Sequence, residues 1–285
     1  MKFSVHTALK SNENPRISLT RRLNQKQPFR IVVRQPSTVY AYGGFYAVDL
    51  DLRRPGGAGQ LILGLAQGVS ALGLVTSEKG SPDAAAPNWP NRSLFNLIDR
   101  ALRPGSRARP LGEPFAALVC DDLGDEVADF IAIDEASGGE TPRAAFVVAK
   151  HKAGAGGVSA SALYDVCGQA AKNLAYLKAD ATDLPGTPGK WNGDWKSGGG
   201  RVPRIRAGPK AAALRSMFSR VRANPSTRRS VWLVLGGGML SRSRLANALA
   251  RDVPEPHVLQ LVHLLLSVYA ACQSIGVDFR IFCAD

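Results

Sequence analysis

Two hydrophobic patterns alternate along this chain, and together they predict a protein that mixes strands with helices. Apolar runs of strand length occur near residues 115–120, 127–133, 144–150 and 231–235. Apolar residues recur every three or four positions near 93–102 and over 159–177, which is the spacing of a helix with one buried face. The patterns therefore predict an α/β fold whose mixed central sheet is flanked by helices.

The helix predicted over residues 159–177 has the clearest amphipathic stripe. Its predicted buried face consists of Leu163, Val166, Cys167, Ala170, Leu174 and Leu177. Gln169 lies off this stripe, on a polar face that could contact a neighbouring site. Ser159 or Ser161 would cap the helix at its amino end.

The first 90 residues are predicted to form a β-rich subdomain, followed by a second unit over residues 91–285. Residues 29–34 and 39–52 carry many β-branched and aromatic side chains, and the sequence between Tyr42 and Phe45 supplies a turn signal. Prolines at 82, 87 and 90 mark the linker between the two units.

Two parts of the first unit leave alternatives open. Residues 61–75 fit either a poor helix or a close-packed pair of strands, because their apolar run is interrupted by glycines. The segment from Ser77 to Gly80 is interpreted as a polar turn. The alternative is that Glu78 and Lys79 supply a second acid and a lysine near a functional site.

Candidate chemistry centres on one acid and one lysine in the predicted strands. Asp129 lies in an apolar strand, and a buried carboxylate there needs a cation or hydrogen-bond donors. Lys150 ends the next strand, on the same side as Phe146 and Val148 because side chains alternate along a strand. A hairpin could place Lys150 beside Asp129, either as a catalytic pair or as an ordinary ion pair at a strand end.

This order of elements resembles the core of the PD-(D/E)XK, or restriction-endonuclease-like, nuclease superfamily, which runs helix, three strands, helix, strand. The resemblance implies that Asp129 is the metal-binding aspartate and that Lys150 is the lysine of the last motif. It also implies that Gln169 is the helix glutamine of the RecB-type branch. The chain departs from the family at Val148, where the second acid is expected.

The departure at Val148 leaves two interpretations of the metal site. If the acid has migrated, Glu126 and Asp122 are the nearest candidates to bind a metal with Asp129; otherwise the site cannot hold a metal in the usual way. Oxygen ligands of this kind favour Mg²⁺ or Mn²⁺. Such an ion polarises a phosphate and activates water, while a lysine orients the water or offsets developing charge. The resemblance therefore implies a deoxyribonuclease.

The excess positive charge is concentrated in one region. Between Lys190 and Arg251 there are fourteen Lys or Arg residues and one acid, Asp194, so this region carries the whole formal net charge of +13. Residues at about 180–210 are predicted to form a mobile functional loop, because they are rich in Gly and Pro. Basic and aromatic residues together favour nucleic acid, with DNA ahead of RNA. The predicted contacts are Lys190, Trp191, Trp195, Lys196, Arg201, Arg204, Arg206, Arg242 and Arg244.

Composition and missing motifs narrow the function classes further. Four scattered cysteines predict reduced core residues rather than zinc ligands or disulfides. No apolar run is long enough to cross a bilayer and no signal peptide is recognisable, so a cytoplasmic protein with no membrane partner is expected. The chain also resembles domains that follow helicases in bacterial defence proteins. This resemblance implies a role in anti-phage defence or DNA processing, with a helicase as a partner. The alternatives to a nuclease are a catalytically inactive nucleic-acid-binding module and a structural domain that docks onto a helicase or methylase.

Overall fold

The computed structural model describes residues 57–83, 87–135, 141–154, 157–181, 183–185, 187, 189–197 and 199–285, together with the backbone of three earlier strands. Those strands form a small antiparallel sheet: β1 (Ile31–Val32), β2 (Thr38–Ala41) and β3 (Gly44–Ala47). They fall within the segment predicted to be β-rich. Two residues of the predicted turn signal, Tyr42 and Gly43, lie outside the described residues.

Six helices and nine further strands make up the rest of the described chain. The helices are α1 (Ala58–Leu65), α2 (Leu94–Leu102), α3 (Ala160–Lys172), α4 (Ala211–Ala223), α5 (Arg242–Leu249) and α6 (Pro256–Ser274). The strands are β4 (Ala66–Gly68), β5 (Ala117–Cys120), β6 (Phe130–Asp134), β7 (Arg143–Lys152), β8 (Asp194–Ser197), β9 (Gly200–Pro203), β10 (Ile205–Ala207), β11 (Arg228–Gly237) and β12 (Asp278–Cys283). Short 3₁₀ helices cover Ser70–Leu74, Leu174–Leu177 and Lys190–Asn192.

Seven strands form one mixed central sheet, in the order β10-β5-β6-β7-β11-β12-β4. Neighbouring strands from β10 to β7 are antiparallel, whereas β11, β12 and β4 run parallel to β7. The predicted α/β class with a mixed sheet flanked by helices is therefore confirmed. The elements α2, β5, β6, β7, α3 and β11 also occur in the order that the sequence predicted.

Alternate residues of the central strands bury into two separate cores, as the two-residue repeat of a strand requires. On β11, Leu233 and Leu235 belong to one core and Trp232 and Val234 to the other. The first core is covered by α1, α3, α4, α5 and α6, and the second by α2 and the 3₁₀ helix Ser70–Leu74. The sheet consequently lies between two helical layers.

The predicted stripe of α3 is buried against the first core, from Leu163 to Ala170 in the helix and at Leu174 and Leu177 in the 3₁₀ turn that follows. All four cysteines are buried and unpaired. Burial raises the pKa of the Cys167, Cys272 and Cys283 thiols to about 12, because it disfavours the thiolate. These thiols are therefore inert core residues at neutral pH, as the sequence predicted.

The segment at 61–75 begins in helix α1, as one alternative predicted, but the close-packed pair of strands is not formed: a single strand, β4, follows and then a 3₁₀ helix. Strand β4 pairs with β12 at one edge of the central sheet. The predicted boundary at residue 90 thus falls between two segments that pack into the same body. On the described residues before and after it, one sheet and its two cores are shared.

The basic segment at about 180–210, predicted to form a mobile functional loop, contains regular secondary structure. Over its described residues it contains a 3₁₀ turn, the antiparallel hairpin β8–β9 and strand β10, which pairs with β5 in the central sheet. Trp195 and Val202 face each other across the hairpin, and both are buried in the second core. Burial of these two side chains attaches the segment to the second core, which its many glycines and charges do not indicate.

Candidate active site

The candidate site lies at one edge of the central sheet, where the parallel strands β7, β11, β12 and β4 all end. Strand β5 ends at the same edge and β6 begins there, because each is antiparallel to its next neighbour. The connection between them, residues 121–129, is called here the acidic turn. It carries five carboxylates, those of Asp121, Asp122, Asp125, Glu126 and Asp129, and the topology brings them to the edge where Lys150 lies near the end of β7.

The acidic turn is closed tightly by its own backbone. The Asp121 amide donates to the Asp129 carbonyl oxygen at 2.9 Å. Leu123 adopts a positive φ of 72°, which is uncommon for a residue with a branched side chain, and Gly124 follows at 75°. The Leu123 amide then donates to Glu126 Oε2 at 2.6 Å. The strained backbone at Leu123 is thus tied to the carboxylate that the turn presents.

Asp129 is one of the buried carboxylates near Lys79. It is 4% exposed, and Oδ2 accepts a hydrogen bond of 2.6 Å from the Ala149 amide of β7. Burial raises the pKa of Asp129 well above its usual range, and the negative charges of Asp122 and Glu126 raise it further. The Ala149 amide and the Lys79 ammonium act in the opposite direction without reversing the shift.

Glu126 connects the acidic turn to helix α3. Gln169 Nε2 donates to Glu126 Oε1 at 3.0 Å, and Asn173 Nδ2 donates to the Val127 carbonyl oxygen at 2.8 Å. Burial raises the pKa of Glu126, and the charge of Asp122 adds to the effect against the opposing Leu123 hydrogen bond. Gln169 therefore contacts one of the candidate metal ligands directly, and its predicted role in the site stays a prediction.

Asp122 is held by two donors that come from distant parts of the chain. Lys79 Nζ lies 2.9 Å from Oδ1, and Trp195 Nε1 donates to Oδ2 at 2.6 Å. Burial lowers the pKa of Lys79, but its hydrogen bond to Asp122 and the charges of Asp122, Asp129 and Glu78 outweigh burial and raise the pKa overall. Lys79 is therefore the positive charge that pairs with Asp122 and also acts on Asp129.

Lys150 and Glu78 form the outer part of the site. Lys150 Nζ lies 3.9 Å from Glu78 Oε2, and its side chain is 43% exposed. Glu78 also accepts from the His151 amide at 3.2 Å and lies 3.5 Å from Lys79. The described residues show no ion pair between Lys150 and Asp129, so the predicted acid–lysine pair is linked through Ala149, Glu78 and Lys79.

Val148 cannot carry the acid that the resemblance expects there. It is 1% exposed and packs in the first core with Phe146. It lies two residues before Lys150, on the same side of β7. A carboxylate at this position would lie in an apolar interior with no donor supplied by its neighbours. The carboxylates whose charges act on Asp129 are instead Asp122 and Glu126, the two alternatives predicted for a migrated acid.

The acidic turn is held in place by four residues that the sequence predicted to contact nucleic acid: Lys190, Trp191, Trp195 and Arg204. Lys190 Nζ lies 2.9 Å from Asp121 Oδ1, and Trp191 Nε1 donates to the same oxygen at 2.8 Å. Arg204 donates to the Asp122 carbonyl oxygen at 2.6 Å. These four residues, with the Trp195 bond to Asp122, are called here the hairpin clamp.

Burial of the clamp corrects the role predicted for its two tryptophans. Trp191 and Trp195 are 1% and 2% exposed, so neither ring offers a face on which a base could stack. Arg206 is also unavailable to a phosphate, because its guanidinium lies 2.9 Å from the Asp99 carboxylate and only 5% of its side chain is exposed. The sequence overestimated this segment as a phosphate-binding surface because composition does not reveal which cations have buried acidic partners.

The remaining predicted contacts are exposed. Lys196 and Arg201 oppose each other on the β8–β9 hairpin, and Arg242 and Arg244 lie in the first turn of α5. Arg242 Nε donates to the Ala66 carbonyl oxygen at 3.0 Å, and the Arg244 amide caps onto Ser241. These four side chains remain candidates for phosphate contacts.

The glycine turn before α5 is closed and does not form an open phosphate cradle. Gly236, Gly237 and Gly238 are all buried, and the Gly238 amide donates to the Lys152 carbonyl oxygen at 2.6 Å. Gly237 has a φ of 61°, and a Cβ there would lie 2.5 Å from the same oxygen. Glycine is required at this point because β7 and β11 approach closely.

The carboxylates at the sheet edge fit a hard divalent cation in their chemistry. Asp122, Glu126 and Asp129 offer oxygen ligands alone, and Asp122 adds to the raised pKa values of the other two, an effect that a bound cation would relieve. Within the part of the chain that is described, however, no three such side chains form a ready metal-binding group. A cation would have to compete with Lys79 for the Asp122 carboxylate.

Comparisons with protein-family models, with curated proteins and with solved structures gave no match for this chain. The functional argument therefore depends on the geometry of the acidic turn and its neighbours. Over the described residues, no helix is both long and apolar enough to span a bilayer.

Glu78 and Lys79 lie closer to the candidate site than their sequence indicates. Their segment is predicted to be a polar turn, but the carbonyl oxygens of Ser77 and Glu78 accept from the Leu94 and Phe95 amides at 2.9 Å and so dock it onto the start of α2. Docking carries Glu78 and Lys79 to the sheet edge. The available signal was an adjacent acid and lysine in a short segment between two apolar ones.

Proposed function

We propose that this chain is a restriction-endonuclease-like domain that hydrolyses phosphodiester bonds in nucleic acid, DNA rather than RNA. The observation that carries the proposal is the convergence of Asp122, Glu126 and Asp129 with Lys79 and Lys150 at one sheet edge. The order of helices and strands and the contact of Gln169 with Glu126 support it. The resemblance further suggests a role in bacterial anti-phage defence or DNA processing, beside a helicase or another defence-system subunit, and we propose a cytoplasmic setting.

The residues divide the work between the inner and outer parts of the site. Asp122, Glu126 and Asp129 would hold Mg²⁺ or Mn²⁺, which would supply charge neutralisation and an activated water. Lys150 is exposed enough to contact a phosphate oxygen and to stabilise the negative charge that develops there. Gln169 and Asn173 keep the acidic turn fixed against α3, which preserves the position of the carboxylates.

A second candidate is a nucleic-acid-binding module without catalysis. It is favoured by one observation: both oxygens of Asp122 already have protein partners, Lys79 and Trp195. A carboxylate that is neutralised within the protein needs no metal. On this alternative, the sheet edge would serve as a structural ion-pair network beneath a binding surface.

Cleavage assays on paired variants test the proposal. The purified protein is incubated with supercoiled plasmid, linear duplex and single-stranded DNA and RNA, in Mg²⁺, Mn²⁺ or chelator. We expect metal-dependent cleavage that falls at least about a hundredfold in Lys150→Ala, with DNA binding nearly intact, because the lysine acts on the transition state. Lys172→Ala, an exposed lysine at the end of α3, is the matched control and should cleave normally.

The outcomes separate the two candidates. Cleavage that is lost in Lys150→Ala and kept in Lys172→Ala supports the nuclease. DNA binding by a wild-type protein that cuts no substrate in either metal supports the binding module.

A further inference from the structure

We propose that a groove between helix α2 and the 3₁₀ helix Ser70–Leu74 binds the sugar-phosphate backbone of a nucleic-acid strand leading to the acidic turn. The inference rests on the proposed function, in that it assigns a path to the same substrate. It assigns that path to a surface outside the basic region 190–251, where the sequence placed the whole excess of charge. We call this surface the α2 groove.

The α2 groove has a volume of about 870 Å³ and a strongly positive lining. Four arginines line it: Arg92, Arg100, Arg103 and Arg107. No aspartate or glutamate is among its described lining residues. Arg92 precedes α2, Arg100 lies in its last turn, and the other two lie in the segment that follows. Four cations without an acid in one concave surface create a potential that attracts a polyanion.

Two of these arginines are fully available for a ligand. Arg100 and Arg107 are exposed, and neither forms an ion pair or a side-chain hydrogen bond with any residue that the structure describes. Arg92 is exposed as well, although its guanidinium donates to the Leu74 carbonyl oxygen at 3.2 Å. These exposed arginines have no acidic partner among the described residues, whereas the cations of the hairpin clamp are bound to buried oxygens of the acidic turn.

Arg103 is partly committed to Asp99, but this does not cancel the charge of the groove. Arg103 Nε lies 3.1 Å from Asp99 Oδ1, and Arg206 binds the same carboxylate through two nitrogens. Asp99 is 1% exposed and faces two guanidinium groups. The pair of arginines therefore overcompensates the one acid next to the groove.

The spacing of the arginines favours a polymer over a single anion. Arg92 lies just before α2 and Arg100 lies in its last turn, so they are separated by nearly the length of this helix, or roughly 10 Å at 1.5 Å per residue. That distance exceeds the size of one phosphate and corresponds to about three base-pair steps along the axis of a duplex, at about 3.4 Å of rise each. Leu74, whose side chain is 68% exposed in the groove wall, adds an apolar surface for a sugar or base.

The α2 groove and the acidic turn are connected directly. Val75 lines the groove, and its carbonyl oxygen lies 3.2 Å from His151 Nε2, next to Lys150. Glu78 follows Val75 by three residues, so their Cα atoms are at most about 11 Å apart. A strand lying in the groove can therefore extend to Lys150 within a few nucleotides.

Salt-dependent binding tests the α2 groove. The full chain, in chelator so that no cleavage occurs, is titrated into fluorescein-labelled 20-nucleotide single-stranded and duplex DNA at several salt concentrations, and anisotropy is read. The test variant is Arg100→Gln/Arg107→Gln. The control, Arg228→Gln/Arg251→Gln, removes the same charge from two exposed arginines that pair with Asp278 and Glu255 elsewhere.

Two lost phosphate contacts should lower the slope of log K against log salt by about 1.8 for duplex or 1.4 for single strands. We expect this change and at least about tenfold weaker binding at low salt in the test variant alone. Thermal melting should show both variants folded, because all four side chains are exposed.

The remaining outcomes distinguish the groove from the proposed function. If the wild type binds DNA and both variants keep its slope, the α2 groove is refuted while the nuclease proposal stands. If the test variant loses binding but the wild type cuts nothing, the groove stands and catalysis fails. If wild-type protein binds polyglutamate but neither DNA nor RNA, the groove takes acidic peptides and the inference is overturned.

Discussion

Asp129→Asn should make the protein more stable at neutral and alkaline pH while it removes activity. The folded protein raises the pKa of Asp129 through burial and through the charges of Asp122 and Glu126. The unfolded chain, with an ordinary pKa near 3.9, therefore releases this proton first as the pH rises. Stability is lost from about pH 4 up to the raised pKa, and the full cost remains above it.

Asparagine removes this cost and preserves the local hydrogen bond. Its amide oxygen can accept from the Ala149 amide as Oδ2 does now, at 2.6 Å, and it carries no charge to bury. Each pKa unit corresponds to about 1.4 kcal/mol, so even a modest shift yields a measurable gain. We expect the variant to exceed wild type by about 1–2 kcal/mol at pH 8, the usual range for relieving a functional site.

Urea denaturation of both proteins between pH 4 and pH 8.5 measures the effect. The advantage of Asp129→Asn should shrink towards pH 4, where both side chains are neutral. Glu126, whose pKa is raised in the same direction, remains in both proteins and keeps part of the slope. Asp134→Asn, at the other end of β6, should instead lose up to about 1 kcal/mol, because Asp134 pairs with Arg143.

A lower stability of Asp129→Asn at pH 8 would refute this reasoning. It would mean that Lys79 and the Ala149 amide stabilise the ionised carboxylate by more than burial and its acidic neighbours destabilise it. The site would then be a satisfied ion-pair network, and the argument that its carboxylates bind a cation would be refuted.

Two further substitutions test the donors that hold Asp122. Trp195→Phe keeps the aromatic packing but removes the indole N–H from a buried carboxylate, so denaturation should show a loss of about 2–3 kcal/mol, and a loss below about 0.5 kcal/mol would contradict the clamp. Lys79→Met should lose about 3 kcal/mol in chelator and recover much of it in Mn²⁺ if the carboxylates can bind a cation. Lys190→Met, which breaks the pair with Asp121, should lose stability without recovery, and equal behaviour of the two variants in Mn²⁺ would argue against a metal site.

Local patterns along the chain predicted most of the central sheet and the helix that supports the site. The stripe of α3 and the apolar runs of β5, β6 and β7 are local signals, and burial of one face or both faces follows from them. Asp129 was recognisable because a lone acid interrupts such a run. Gln169 was recognisable only through the resemblance, and its contact with Glu126 supports that choice.

The partners of the acidic turn could not be predicted, because they depend on contacts between distant segments. Trp195 reaches Asp122 across 73 residues, and Lys79 reaches the same carboxylate across 43. Hydrophobic periodicity gives no information on such pairs. Net charge was misleading for the same reason: Lys190 and Arg204 count as surface cations in a composition, although each binds a buried oxygen.

The position of β12 between β11 and β4 has a consequence for the order of folding events. Ala66 of β4 pairs with Ile281 of β12, and the Val69 amide bonds to the Cys283 carbonyl oxygen. Closing a loop over such a separation is slow, so we expect β4 to dock after β5, β6 and β7 have formed their local meander. Glu78 and Lys79 are held separately, because the carbonyl oxygens of Ser77 and Glu78 accept hydrogen bonds from the start of α2. A local opening of the β4–β12 pair would therefore release the edge strand and leave both the meander and Lys79 in place.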